Sequence, residues 1–522
     1  MDATAAGPVY FDPYKVEIRT DPYPTYKRLR EEAPLYYNEQ YDFYALSRCE
    51  DIERGLQDRE TYISGRGDIL EIIKSDTQFP SGVFIMEDPP LHTVHRGLVT
   101  KVFTPKRMNA LEPKIREFCA QCLDPLIGAG RFDFVADLGA QMPMRVIGML
   151  LGIPEQDLES VRAQADASLR TEPGKPMAYS VSQTTGEGFE EYIEWRTRHP
   201  SDDLMTELLN TEFKDETGTT RKLTREEILS IVNVLAGAGN ETTNRLIGWT
   251  GKVLAEHPDQ RREIVANRAL IPAAIEEILR FEPPGPQVGR YINRDVEVYG
   301  QKIPKGNTML FLVASGTRDE RRFPDADRFD IHREMRSQLV FGYGIHTCVG
   351  AALARIEGRL ALDEILKRFP EWEVDYDNAS LMSSSTVRGW DALPVFTNPG
   401  SRPARPRNDG AKVEKSGKPA ATSAAAAGKW TLTVKSPTGP MATTLLLEHV
   451  GAALTGTQSG QGTTSPISEV RLEGSNIFWV NHVTKPMKLK LEFAGVIDGN
   501  AMSGKVKTGF MGSYPFTAVK ES

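Results

Sequence analysis

Among the four cysteines of this 522-residue sequence, Cys348 stands in the stretch FGYGIHTCVGAALARIEGR, residues 341–359, a glycine-rich turn running into a helical pattern. Backbone N–H groups and a helix N-terminus converge at such a place and favour a thiolate, which makes Cys348 a candidate metal ligand. Three other stretches carry residues that could do chemistry. AGAGNETT, residues 236–243, sets Glu241 beside Thr242 within a helical pattern. A glycine inside a helix costs about 1 kcal/mol against alanine, so Gly237 and Gly239 call for a reason. Glu277 and Arg280 are three residues apart, which puts them on one helical face where they can pair. In PPLHTVHRGLV, His92 and Arg96 lie one helical turn apart. By contrast, Cys119 and Cys122 form a lone C-x-x-C inside an apolar helical pattern, with no second pair or histidine nearby. That reads as core packing rather than zinc or redox chemistry.

The elements that must position these residues are mostly helices. PYPTYKRLREEAP and RMNALEPKIREFCAQCLDPLI repeat their apolar residues with a 3.6 period. LTREEILSIVNVLAGAGNETTNRLIGWTGKVLAEHP opens with a Thr224–Glu227 capping box and closes before Pro258. It exceeds 30 residues and is apolar through its middle, so it should cross the interior of its domain. Residues 399–428, low in large apolar side chains and rich in Pro, Ala, Gly and Lys, read as a flexible linker. From residue 429 the pattern changes to about seven or eight alternating strands in 94 residues, which indicates a small antiparallel barrel or sandwich. The expected organisation is therefore a mainly α domain with small β sheets over 1–398, the linker 399–428, and an all-β domain over 429–522.

Charge is unevenly spread. The residues from Gly400 onward hold 15 Lys or Arg against 8 Asp or Glu, while the whole chain is at −8, so the body before them carries −15. An acidic body argues against nucleic acid as a partner. The N-terminus lacks the basic and apolar regions of a leader, and MPMRVIGMLLGI is interrupted by Arg145 short of the ~20 apolar residues that cross a bilayer. Four cysteines are too few for a disulfide scaffold, so a cytoplasmic protein without a membrane partner is expected.

Together these motifs make residues 10–398 resemble the cytochrome P-450 family of haem-thiolate monooxygenases. The most specific part is F-G-x-G-x-H-x-C-x-G, matched by Phe341, Gly342, Gly344, His346, Cys348 and Gly350. The resemblance implies that Cys348 is the proximal ligand to the iron of haem b (iron protoporphyrin IX). Glycines let the backbone pass close beneath a flat macrocycle, and the thiolate pushes electron density toward the iron. Glu241 and Thr242 match the family's acid–alcohol pair, which relays solvent protons. On the same resemblance, Gly237 and Gly239 and a widened helical turn leave room for dioxygen; close helix packing is the alternative. Glu277, Arg280 and Arg328 match a buried Glu–Arg–Arg cluster that supports the haem-binding core. His92, Arg96, Arg290 and His346 match the contacts to the haem propionates, since two carboxylates demand cationic donors. Leu235, Ala238, Gln287, Val288 and Val387 fall in the substrate-recognition segments. His95 has no assigned role.

The implied activity is insertion of one atom of O₂ into a small lipophilic molecule such as a steroid, terpenoid or fatty compound. No cysteine follows residue 348 and no G-x-G-x-x-G follows a strand in the last domain, so electrons must come from separate redox proteins, which the resemblance implies are a ferredoxin and its reductase. Arg355, Arg359, Lys367 and Arg368 are candidates for the docking patch. The rival reading is a haem-thiolate sensor or carrier without turnover, the β domain transmitting its signal; the Glu241–Thr242 pair speaks against it. Peroxide-driven oxidation is a third, disfavoured by the relay alcohol. For residues 429–522, where His449 and His482 are isolated, the expectation is a non-catalytic module for oligomerisation or partner docking.

Overall fold

The structure, a computed structural model, describes residues 7–179, 185–186, 188–335, 337–397, 426–436, 439–450, 453–460, 463–473, 475–483, 489–507 and 513–520. It divides into two compact units, 1–403 and 404–522. The expected linker lies outside the described residues except for its last three.

The first unit is mainly α. Its one sizeable sheet holds β1 (Leu35–Asn38), β2 (Phe43–Leu46), β3 (Tyr62–Ile63), β4 (Val288–Ile292) and β5 (Thr308–Phe311) in the order β1-β2-β5-β4-β3. Five helices matter for the site: α1 (Leu91–Thr100), α2 (Met142–Leu151), α3 (Arg225–Glu256), α4 (Ile271–Phe281) and α5 (Ala351–Arg368). Helix α3 starts where its capping box dictates: Thr224 Oγ1 accepts from the Glu227 N–H at 3.2 Å, and Glu227 Oε2 accepts from the Thr224 N–H at 2.8 Å. It is buried on nearly all sides and forms the axis of the apolar core.

Gly237 and Gly239 serve different ends. A Cβ on Gly239 would lie 3.0 Å from Ile147 of α2, so this glycine allows close helix packing, whereas a Cβ on Gly237 would meet nothing within 4 Å. The widened turn is not found; α3 is α-helical from end to end, and the π-helical segment of the unit is Phe134–Gly139 instead. That segment and α2 together make Phe134–Leu151, 18 residues apolar enough to cross a membrane by length and composition, a stretch longer than the sequence reading allowed. Two-thirds of it is buried inside the fold, as befits a core element. Cys119 and Cys122 are likewise buried in the core.

The second unit is a closed barrel of eight antiparallel strands: β6 (Gly428–Ser436), β7 (Gly439–Val450), β8 (Ala453–Gly460), β9 (Thr463–Glu473), β10 (Asn476–Val483), β11 (Leu489–Asp498), β12 (Ala501–Lys507) and β13 (Ser513–Lys520). Each strand pairs with the next, and β6 pairs with β13, so no edge is left open. This decides between barrel and sandwich. Strand β9 was the hardest to see, because Pro466 and a register shift between Ser468 and Arg471 interrupt its alternation. Trp430, Trp479, Phe493 and Phe516 fill the interior, with Trp479 stacked on Phe493 at 4.6 Å. One polar knot is buried among them: Gln458 Oε1 accepts from Trp479 Nε1 at 3.1 Å and from Asn481 Nδ2 at 3.2 Å. The side chains of His449 and His482 lie outside the described residues.

Candidate active site

The loop before α5 is bent by two glycines in the left-handed region, Gly342 and Gly344, both at φ 72°. A side chain at Gly344 would also strike the Leu56 carbonyl oxygen at 2.7 Å. The bend is closed by the Gly342 N–H to the Leu339 carbonyl and the Cys348 N–H to the Phe341 carbonyl, each at 2.7 Å. Cys348 is thereby delivered just ahead of α5, its thiol deep in the fold yet accessible from a cavity of about 260 Å³. Burial pushes the thiol up from its ordinary value; the Gly350 N–H, Arg96 and Arg355 work in the opposite direction. Leu235, Ala238, Thr242, Thr243 and Glu357 line the same cavity.

A second cavity of about 480 Å³ lies along α3 and shares Ala238, Thr242 and Gly285 with the first. Val83, Ile85, Met86, Phe189 and Val387 give it apolar walls, and Glu241 reaches it from α3. Glu241 is nearly fully buried, with Oε2 2.6 Å from Arg245 Nη2 and Oε1 accepting from Asn240 Nδ2 at 2.9 Å. Burial holds its carboxyl above the ordinary range despite Arg245. Thr242 donates to the Ala238 carbonyl oxygen at 3.0 Å. Sequence reasoning missed Glu357 on α5. It is fully buried with Oε2 lacking a partner, burial raises its carboxyl well above the usual range, and its one side-chain hydrogen bond is to Thr243.

His92, Arg96, Arg290 and His346 come from α1, β4 and the cysteine loop, and they meet. The two imidazoles are 4.2 Å apart, and Nε2 of each is buried without a partner. Burial first, then Arg290, His92 and Arg96, push His346 down to about 2. Arg96 donates to the Thr347 carbonyl oxygen, and Arg290 is buried with Nη1 on the Gly289 carbonyl oxygen at 2.7 Å. Such a gathering of donors, two of them orphaned, is costly without an anion.

The ion cluster on α4 corrects one assignment. Glu277 and Arg280 form a two-pronged pair at 2.7 and 2.8 Å, both buried. The third cation is Arg333, with Nε 3.2 Å from Glu277 Oε1, not Arg328. Arg328 lends only its carbonyl oxygen, to Arg280 and Arg333, while its side chain turns outward to Asp330 at 2.7 Å. The loop 324–333 doubles back, and that path, not the local sequence, decides which arginine points inward.

Of the expected substrate residues, Leu235 and Ala238 line the cavity of Cys348, and Ala238 and Val387 line the larger one. Gln287 instead faces a separate small cavity with Pro13, Ile18 and Tyr26. Val288 is corrected too: it opens β4 and packs on the sheet core with Tyr62, Ile292 and Phe311. The four docking cations are also largely engaged. Arg355 pairs with Glu276 at 2.6 Å, Lys367 with Glu364 at 2.7 Å and Arg368 with Glu364 at 2.6 Å, while Arg359 donates to the Arg355 carbonyl oxygen.

A helical core with a cysteine loop under a long central helix, flanked by two arginines and two buried imidazoles, defines a haem-thiolate class of protein. Comparison agrees. The family model "Cytochrome P450" matches residues 182–389. A putative cytochrome P450 123 of Mycobacterium tuberculosis is 37% identical over 390 residues, covering 74% of this chain and 96% of its own. The cytochrome P450 monooxygenase PikC of Streptomyces venezuelae is 33% identical over 388 residues, 73% and 92% of the two chains. The crystal structure of CYP109E1 from Bacillus megaterium in complex with testosterone superposes with a TM-score of 0.66 at 29% identity, covering 74% of this chain and all of the other. A mutant of P450 EryK in complex with erythromycin B gives 0.67 at 30% identity over 75% of this chain and all of the other. The chain belongs to the cytochrome P450 family, and it is a haem-dependent monooxygenase. Its residues fit the haem: the orphaned Nε2 atoms of His92 and His346 beside two arginines suit two carboxylates, and a thiol opens onto the adjoining cavity.

Proposed function

We propose that the enzyme hydroxylates an unactivated carbon of a lipophilic substrate, using haem b ligated by Cys348 and electrons from a separate ferredoxin and ferredoxin reductase. The observation that carries this reading is the pair of neighbouring cavities that share Ala238, Thr242 and Gly285 in their walls, one lined by the Cys348 thiol and the other apolar-walled. When bound, the haem supplies dioxygen binding and its reductive activation. Cys348 would hold it from one side, with the Gly350 N–H moderating the sulfur's charge. His92, Arg96, Arg290 and His346 would bind its propionates.

Thr242 lines both cavities, and its hydroxyl, now on the Ala238 carbonyl oxygen, would pass a proton between them. Glu241, whose carboxyl burial holds above the ordinary range, is the donor behind it, and Arg245 orients its carboxyl. Leu235, Ala238 and Val387 would touch the substrate. Gln164, Ser168 and Thr386 add polar groups to the larger cavity, which suits a molecule that is mainly hydrocarbon with a few oxygen functions. Relatives crystallised with testosterone and with erythromycin B support that class. The four cysteines are all free thiols, in keeping with the cytoplasm.

The barrel is read as a non-catalytic module that mediates oligomerisation or docks a partner. Among the described residues no group of three or more His, Cys, Asp or Glu side chains gathers to hold a metal, and the barrel's interior is filled by its own aromatic rings. The test is turnover of a bound substrate under ¹⁸O₂ with ferredoxin and reductase, on the full chain and on a chain ending at Pro399. One labelled oxygen per product is expected from both, with a change in oligomeric state or partner binding in the shorter chain. Unlabelled product would refute the oxygenase reading, and loss of haem from the shorter chain would refute a non-catalytic barrel.

A further inference from the structure

None of the roles above uses His95. It is wholly buried on α1, with Nδ1 2.9 Å from both carboxylate oxygens of Glu87 and Nε2 3.4 Å from Glu227 Oε1. Both acids have further contacts. Glu87 Oε1 also accepts from the Gly82 N–H at 2.8 Å. Glu227 is the capping-box residue of α3; Arg221 of the strand Thr220–Lys222 grips its two oxygens at 2.8 and 2.9 Å, and Ser81 donates to Oε1 at 3.1 Å. Gly82 is in the left-handed region at φ 96°, and a Cβ there would fall 2.5 Å from the Glu227 carbonyl oxygen, so the loop lies hard against the start of α3. One imidazole thus ties the loop before its own helix to the start of α3, more than a hundred residues further along the chain.

We propose that His95 is a positioning residue: as an imidazolium it braces the loop 81–87 against the N-terminus of α3, and it loosens that loop on losing its proton. The chemistry follows from the donor count. A neutral imidazole has one N–H and one lone pair, so between two carboxylates, which only accept, it must turn its lone pair toward one of them. The cation donates from Nδ1 to Glu87 with charge assistance and holds its second N–H at ion-pair distance from Glu227, 3.4 Å away, without a hydrogen bond there. The charged groups facing it are Glu87 from the loop before α1, Glu227 from α3 and, beyond Glu227, Arg221. Burial and Arg221 disfavour the cation, but the hydrogen bond to Glu87 and the charges of Glu87 and Glu227 outweigh them, so its proton is held above the ordinary histidine value. The bracing is therefore complete below the ordinary value and is lost as pH rises through the elevated one. Val83, Ile85 and Met86 of this loop form a wall of the 480 Å³ cavity. What the brace means for substrate rests on the function proposed above; the brace itself does not.

Hydrogen–deuterium exchange of the haem-loaded enzyme tests it, followed from pH 6 to 9 on peptides covering residues 80–88 and corrected for the intrinsic pH dependence of amide exchange. Protection should fall by roughly tenfold as pH rises through the elevated value, the ratio expected when a charge-assisted hydrogen bond becomes a neutral one. In His95→Gln the profile should be flat, while the carbonyl spectrum shows the haem pocket intact. Should that variant fail to fold, Glu87→Gln keeps the imidazole, removes one carboxylate and should flatten the profile as well. A wild-type profile without pH dependence, or the same dependence in wild type and variant, would overturn the proposal.

Discussion

Replacing Glu277 by Ala is expected to cost about 3–5 kcal/mol, because it leaves the buried Arg280 and the half-buried Arg333 facing each other without their shared anion. Typical domains hold only about 5–15 kcal/mol in total, so haem should be lost well below the wild-type denaturation midpoint. The position matters beyond its own helix. Glu277 Oε1 also accepts from the Asp330 N–H at 2.9 Å, and Arg280 donates to the carbonyl oxygens of Thr317 and Ala326, so one pair pins the loop that leads to Cys348. Arg328→Ala should be nearly neutral, within about 0.5 kcal/mol, whereas Arg333→Ala should cost about 1.5–3 kcal/mol. Denaturant unfolding followed by the Soret band separates the two arginines. Equal costs would return Arg328 to the cluster.

The second large effect is expected at the junction of the two cavities. Thr242→Ala should leave reductant consumption running while hydrogen peroxide replaces most of the oxygenated product. Glu241→Gln, which can keep one oxygen on Arg245 but turns an NH2 toward Asn240 and cannot deliver a proton in the same way, should slow product formation by about 10²-fold. Burial keeps the Glu241 proton on to higher pH than usual, so wild-type product formation should decline as pH rises through that elevated value, and this limb should vanish in Glu241→Gln. Coupling and pH limb are both read from product per reductant oxidised. Unchanged coupling in Thr242→Ala across several substrates would leave Thr242 as a packing residue on α3.

What could be read in the sequence was what is fixed by short spacing. The cysteine loop, the capping box at Thr224, the Glu277–Arg280 pair and the acid–alcohol pair each sit within one turn or one helix, where residue order dictates geometry. Placement that depends on the path of a loop was beyond such reading, as the exchange of Arg328 for Arg333 demonstrates. Gln287 and Val288 were both taken for pocket residues, yet neighbours at the start of a strand point to opposite faces and cannot share one cavity. Arg355 looked free because its acid, Glu276, comes from α4, and Arg368 draws Asp124 from another segment besides Glu364 of its own helix. His95 had no visible role for the same reason: Glu227, one of its two partners, lies more than a hundred residues away. In the barrel, alternation indicated seven or eight strands, the uncertain one being β9, where Pro466 and a register shift break the pattern.

The central claim is that Cys348, and no other cysteine, supplies the thiolate to the haem iron. It is tested most directly by the carbon monoxide difference spectrum of the reduced enzyme. Wild type, Cys119→Ala and Cys122→Ala should all show the red-shifted band of a thiolate-ligated haem, because both of those cysteines are buried in the apolar core away from the cavity. Cys348→Ala and Cys348→His should lack it. Persistence of the red-shifted band in either Cys348 variant would contradict the account.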